Sequence, residues 1–155
     1  MANSETAENQ VSALNDLIKI NNDRAAGYQK ALENTQEADL KALFPGYVAQ
    51  SKKNSSELEG FVKSLGGKPA DSTSIAGDLH HAWIDVKGAF TSNDRHAVLA
   101  ECESGEDVAK KAYKEALGDT DISWDANIST AISSQNQGIL SAHNEVKALR
   151  DAAKS

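Results

Sequence analysis

The sequence has only one cysteine, Cys102, so no disulfide can form within the chain, and a reducing compartment is the simple reading. Two prolines and 5% aromatic residues are too few for a β-sandwich, with its many turns and ring-filled core, and they suit a helical chain. No run approaches the roughly 18 apolar residues that a membrane-spanning helix needs. Residues Met1 to Gln10 are polar and acidic, without the apolar core of a secretory signal. Basic residues are in deficit: 16 Lys and Arg stand against 23 Asp and Glu, for a net charge of −7. That balance works against binding nucleic acid or an anionic membrane. Also missing are a glycine-rich phosphate loop, a Ser/His/Asp arrangement and a basic aromatic stripe. The expectation is a cytoplasmic protein with neither nucleic acid nor membrane as partner. A homo-oligomer is compatible with the sequence, and a protein partner is left unspecified.

What is present is a repeat. Tyr28-Gln29-Lys30-Ala31-Leu32-Glu33-Asn34-Thr35 returns as Tyr113-Lys114-Glu115-Ala116-Leu117-Gly118-Asp119-Thr120, displaced by 85 positions. Each copy closes one amphipathic helix and precedes another. Apolar residues alternately three and four apart predict long helices over 9–34, 36–65, 94–117 and 123–152, behind a frayed 1–8. Thr35 is a candidate N-cap for the second of these, and Gly66-Gly67 is a helix stop. Pro45 predicts a kink or break near Phe44. Ile75, Leu79, Ala82, Val86 and Phe90 predict a short extra helix over about 74–90, and Ser92-Asn93-Asp94 caps the helix after it.

The link from Gly66 to Asn93 holds 28 residues. A 30-residue helix is about 45 Å long, so a link of this size suits a crossover along the bundle. The predicted fold is therefore all-α. Residues 9–155 form a single ferritin-like four-helix bundle of two helical hairpins, with the short fifth helix in the long crossover.

Each long helix carries a polar residue in mid-stripe. In di-iron bundles two helices each give a Glu and two give Glu-x-x-His, all aimed inward. The 85-residue displacement places Asn21, Ser51, Asn54, Glu106, Asn136 and Ile139 at the corresponding positions, with a single carboxylate and no imidazole. Hard cations need several charged or imidazole donors. No di-iron centre, no cofactor and no catalytic residue is expected, and the layer reads as a hydrogen-bonded register device. If Glu106 lies among amides and apolar groups its charge is a burden, and Glu106→Gln should be neutral near pH 4 and stabilising near pH 8. A metal ion or a buried cationic side chain beside it would reverse that sign.

Four residues are weak candidates for an off-centre metal site holding a single divalent ion: Glu103, Glu106, His80 and His143. Glu103 and Glu106 share a helix face at i, i+3. His80 and His81 are adjacent and diverge by about 100° on a helix, which prevents a two-His site. Cys102 reads as a small core residue.

The segments Leu14 to Tyr28, Leu40 to Phe44, Leu79-His-His-Ala-Trp-Ile-Asp-Val-Lys87 and Ala100-Glu-Cys-Glu-Ser-Gly-Glu-Asp107 resemble the DUF2383 domain family. The resemblance covers nearly the whole chain and implies a ferritin-like four-helix bundle of unassigned biochemistry. More distantly, the second helix is similar to that of rubrerythrins, with Ser51-x-x-Asn54 where those have Glu-x-x-His. The functional expectation is a non-catalytic bundle with most di-iron ligands replaced. Its alternative is a metal-binding or redox protein built around Glu103, Glu106 and a His.

Overall fold

The computed structural model describes residues 4–70 and 95–153. Four helices make up this part: α1 (Ser4–Asn34), α2 (Ala38–Ser64), α3 (Arg95–Gly118) and α4 (Ala126–Ala152). No strand occurs among the described residues. The short helix expected over 74–90 and the cap at Ser92 to Asp94 lie outside them.

Cross-helix bonds give the directions. Asn21 and Arg24 of α1 meet Tyr113 and Glu106 of α3, so as one helix rises the other descends. Tyr47 and Glu57 of α2 meet Glu145 and Gln135 of α4 in the same antiparallel sense. Two tight hairpins, α1–α2 and α3–α4, thus pack so that α2 and α3 run parallel. The exit of α2 is fixed near the start of α1, where the Lys68 carbonyl and the Ala70 amide bond the Asn15 side chain. The entry to α3 is at the far end, where Arg95 reaches Asp39 at 2.7 Å. A short loop cannot join parallel helices of this length, which explains the long link that the sequence shows.

Helix ends differ in detail from the sequence reading. α1 is already helical from Ser4, where residues 1–8 were expected to fray. Its first turns are tied to the α3–α4 turn, since Gln10 Oε1 accepts from the Asp125 amide at 3.1 Å and Asn9 donates to the Asp121 carbonyl. Glu37, not Thr35, is the N-cap of α2, and the Thr35 hydroxyl accepts the Glu37 amide in the turn. Pro45 does not break α2. The ring's missing hydrogen bond would have gone to Lys41, and both residues face solvent, where water satisfies the free carbonyl.

The stop at Gly66-Gly67 is a Schellman turn. Gly66 donates to the Lys63 carbonyl and Gly67 to that of Val62, with Gly66 at φ 83°. That left-handed conformation costs an L-residue about 1–2 kcal/mol, so Gly66→Ala should lower unfolding free energy by that amount in denaturant melts. An unchanged midpoint would show that the turn relaxes without strain.

The core divides into two apolar clusters along the bundle. One holds Tyr28, Leu40, Phe44, Leu99, Cys102 and Val146, near the α1–α2 turn. The other holds Leu14, Ile18, Leu58, Val62, Tyr113, Ile128 and Ile132, near the α3–α4 turn. Tyr28 and Tyr113, the equivalent tyrosines of the repeat, are both fully buried, one in each cluster. Between the clusters lies a layer of polar side chains.

Candidate functional site

The layer is assembled from pairs one turn apart. α1 supplies Asn21 and Arg24, and α2 supplies Ser51 and Asn54. α3 gives Glu106 and α4 gives Gln135, and all six side chains are buried. Arg24 is the centre. Its Nε and Nη2 donate to the two Glu106 oxygens at 2.5 and 2.9 Å, a bidentate pair with neither partner exposed. Its Nη1 donates to the Ser51 hydroxyl at 2.7 Å and reaches the Tyr47 carbonyl at 3.5 Å. The guanidinium lies 5.3 Å from the ring centre of Tyr28 and 5.5 Å from that of Tyr47, within cation–π range.

Beside the ion pair runs a chain of neutral bonds. Asn54 donates to Asn21, Asn21 donates to the Tyr113 hydroxyl at 2.8 Å, and Tyr113 donates to Gln135 at 2.6 Å. Gln135 in turn donates to Glu57 at 2.7 Å, toward the surface of α2.

Burial would lower the Arg24 pKa, but attraction and hydrogen bonding from Glu106 outweigh it and hold the group above its ordinary value. The cation is therefore permanent. Burial first, and the Glu106 charge second, push the Tyr28 hydroxyl and the Cys102 thiol well up. Cys102 stays a thiol with no exposed surface, which makes it a poor nucleophile.

The sequence reading placed four of these residues correctly: Asn21, Ser51, Asn54 and Glu106. Three points are corrected. Gln135, not Asn136, enters the layer, while Asn136 is half-buried at the rim. Ile139 belongs to the apolar cluster around Leu58. The second hairpin turn, 119–125, differs in length from the first, 35–37, so the 85-residue offset that relates α1 to α3 does not have to relate α2 to α4. Across it the register slips by one residue: Phe44, Val48, Ser51 and Leu58 correspond in burial to Ile128, Ile132, Gln135 and Ala142, a displacement of 84. The third correction concerns Glu106, which is not surrounded by amides and apolar groups alone. Its partner is Arg24, a residue the stripe reading passed over.

A second group of polar residues lies off the axis, between α3 and α4. Glu103, Asp107 and His143 present one donor atom each, all within 4.8 Å of one another. His143 Nε2 is 2.7 Å from Asp107 Oδ1 and 3.7 Å from Glu103 Oε2. The other Glu103 oxygen is in contact with Arg150 Nη1. Of the four metal candidates from the sequence, Glu103 and His143 thus come together. Glu106 is one turn away in the core, tied to Arg24, and His80 lies outside the described residues. Asp107 is the member that the sequence reading missed. Glu103 and Asp107 are i, i+4 on α3, a spacing that marks one face of the helix as much as the i, i+3 pair of Glu103 and Glu106 does.

The family model for a domain of unknown function (DUF2383) matches residues 9–119, more than half of the chain. That match spans α1, α2 and α3 and stops before α4. No curated protein matches the chain.

Proposed function

The chain belongs to the DUF2383 family, and we propose that it acts as a non-catalytic, ferritin-like helical bundle whose core carries an ion pair where relatives of that fold hold two metal ions. The observation that carries this is the Arg24 guanidinium at the centre of the layer, locked bidentate onto the layer's one carboxylate. The residues present do not fit a di-metal centre. Both Glu106 oxygens are already used, the remaining donors are neutral amides and hydroxyls, and an incoming dication would meet a fixed positive charge.

The lone buried thiol and the net charge of −7 fit a cytoplasmic protein that works on other proteins or on copies of itself, not on nucleic acid or anionic lipid.

The test is elemental analysis of protein produced in medium containing iron, manganese and zinc. The expected result is no pair of metal ions per chain. Two ions per chain that are lost in Glu106→Gln would overturn the reading. A single ion that survives that substitution belongs elsewhere and leaves it standing.

A further inference from the structure

We propose that Glu103, Asp107 and His143 form a binding site for one divalent transition-metal ion of the Zn²⁺ kind, on the α3–α4 side of the bundle. This site is separate from the core layer.

Four observations carry it. An ion held at about 2.0–2.2 Å from its ligands sets neighbouring donors about 3.0–3.5 Å apart. The distances from His143 Nε2 to the two carboxylates, 2.7 and 3.7 Å, straddle that range, and all three donor atoms lie within 4.8 Å of one another, so side-chain adjustments alone seat the ion. Second, two carboxylates, one of them shared with Arg150, offset most of the charge of a dication, and the nitrogen donor favours zinc over calcium or magnesium. Third, His143 has a partner behind it. Its Nδ1 is 3.2 Å from the side-chain amide oxygen of Asn144, and the tautomer with the ring proton on Nδ1 makes that hydrogen bond and turns the Nε2 lone pair to the cluster. Fourth, Arg150 holds Glu103 by the oxygen that faces away from His143, leaving Oε2 for the ion.

His143 and Glu103 are both buried, at 6% and 7% exposure, while the Asp107 side chain is more than half exposed and gives an ion its way in. A bound ion would replace the direct contact between His143 Nε2 and Asp107 Oδ1, which are 2.7 Å apart. Lys110 Nζ lies 3.9 Å from the same Asp107 oxygen, at the exposed edge of the cluster.

The experiment uses the full chain, stripped with a chelator and titrated with Zn²⁺ by calorimetry, with Mg²⁺ as comparator. We expect one Zn²⁺ per chain, with Mg²⁺ binding far more weakly. Asp107→Asn and His143→Gln should each weaken Zn²⁺ binding at least about tenfold. Because Asp107 is exposed, its substitution leaves the fold intact, and unchanged melting in chelator verifies this. His96→Gln, which alters a histidine of α3 outside the cluster, should bind as the parent does. No Zn²⁺ binding by the parent overturns the proposal. So does binding that Asp107→Asn leaves unchanged, or binding that His96→Gln abolishes. A Co²⁺-loaded sample adds a second readout, since its visible absorption should disappear in His143→Gln.

Discussion

Arg24→Met is expected to destabilise the protein by about 3–5 kcal/mol at neutral pH, the cost of stranding one member of a buried ion pair. The substitution keeps the length of the side chain and leaves the Glu106 carboxylate in a layer whose other groups are neutral. Glu106→Gln should cost a similar amount from the other side. It strands a guanidinium whose remaining partners are Ser51, the Tyr47 carbonyl and two ring faces. That outcome is the reverse of the stabilisation expected for a Glu106 without a cationic partner. The double variant Arg24→Met/Glu106→Leu should recover most of the loss, because a well-packed apolar pair often matches or exceeds a buried ion pair.

pH separates the two single variants. In Arg24→Met the stranded carboxylate binds a proton more readily in the folded core than in the unfolded chain. Its penalty is then full at neutral pH and relieved as pH falls toward about 4. The Glu106→Gln deficit has no such relief, since a guanidinium stays charged throughout that range. Denaturant melts of all four proteins at two pH values provide the measurement. Single variants within 1 kcal/mol of the parent, a threshold set by the ordinary surface range, would show that the pair is not a buried, mutually dependent unit.

The sequence made the helices legible because their stripes are long and their stops are marked by glycine. It made the polar layer legible because a strongly polar residue in an apolar stripe stands out. Arg24 was hidden by its type. Arginine is almost never fully buried without a partner, so a stripe built on apolar residues leaves it out. Its spacing held the signal: Asn21, Arg24 and Tyr28 fall three and four apart, on the face that α1 buries. A lone Glu106 in the stripe of α3 calls for a cation from another helix, and Arg24 is the α1 cation on that face. The apolar stripe of α4 carries Gln135 with Asn136 beside it, and only the repeat offset points to Asn136, because the repeat constrains register only up to the turn that precedes α4. The Glu103–Asp107–His143 cluster was half legible. Glu103 and His143 are both among the sequence's metal candidates, but Glu106 stands where the structure has Asp107, because both lie within a turn of Glu103 and only the packing of α3 tells which faces α4.

Phe44→Ala should cost about 3–5 kcal/mol, whereas Phe61→Ala, on the same helix, should cost only about 1 kcal/mol. By stripe alone the two are equals, since both continue the α2 series through Leu58. The structure separates them. Phe44 is fully buried, and its ring is 5.2 Å from that of Tyr28, in a tilted pair that adds about 0.5–1.5 kcal/mol beyond area. Tyr28 also contacts Tyr47 at 5.0 Å and lies under the Arg24 guanidinium, so a cavity at Phe44 loosens the floor of the ion pair. Past Asn54 the buried series of α2 runs Ser55, Leu58, Val62, and Phe61 turns partly to solvent. The Schellman turn fixes that choice by bringing Gly67 back against Val62 and Val11, so closely that even a methyl group at Gly67 would collide with Val11. For a domain of this size each kcal/mol moves the melting temperature by about 2–4 °C, so Phe44→Ala should melt roughly 6–20 °C lower and Phe61→Ala only a few degrees lower. Equal losses at the two positions would mean that α2 is rotated from the register described, which would put Ser51 outside the reach of Arg24 as well.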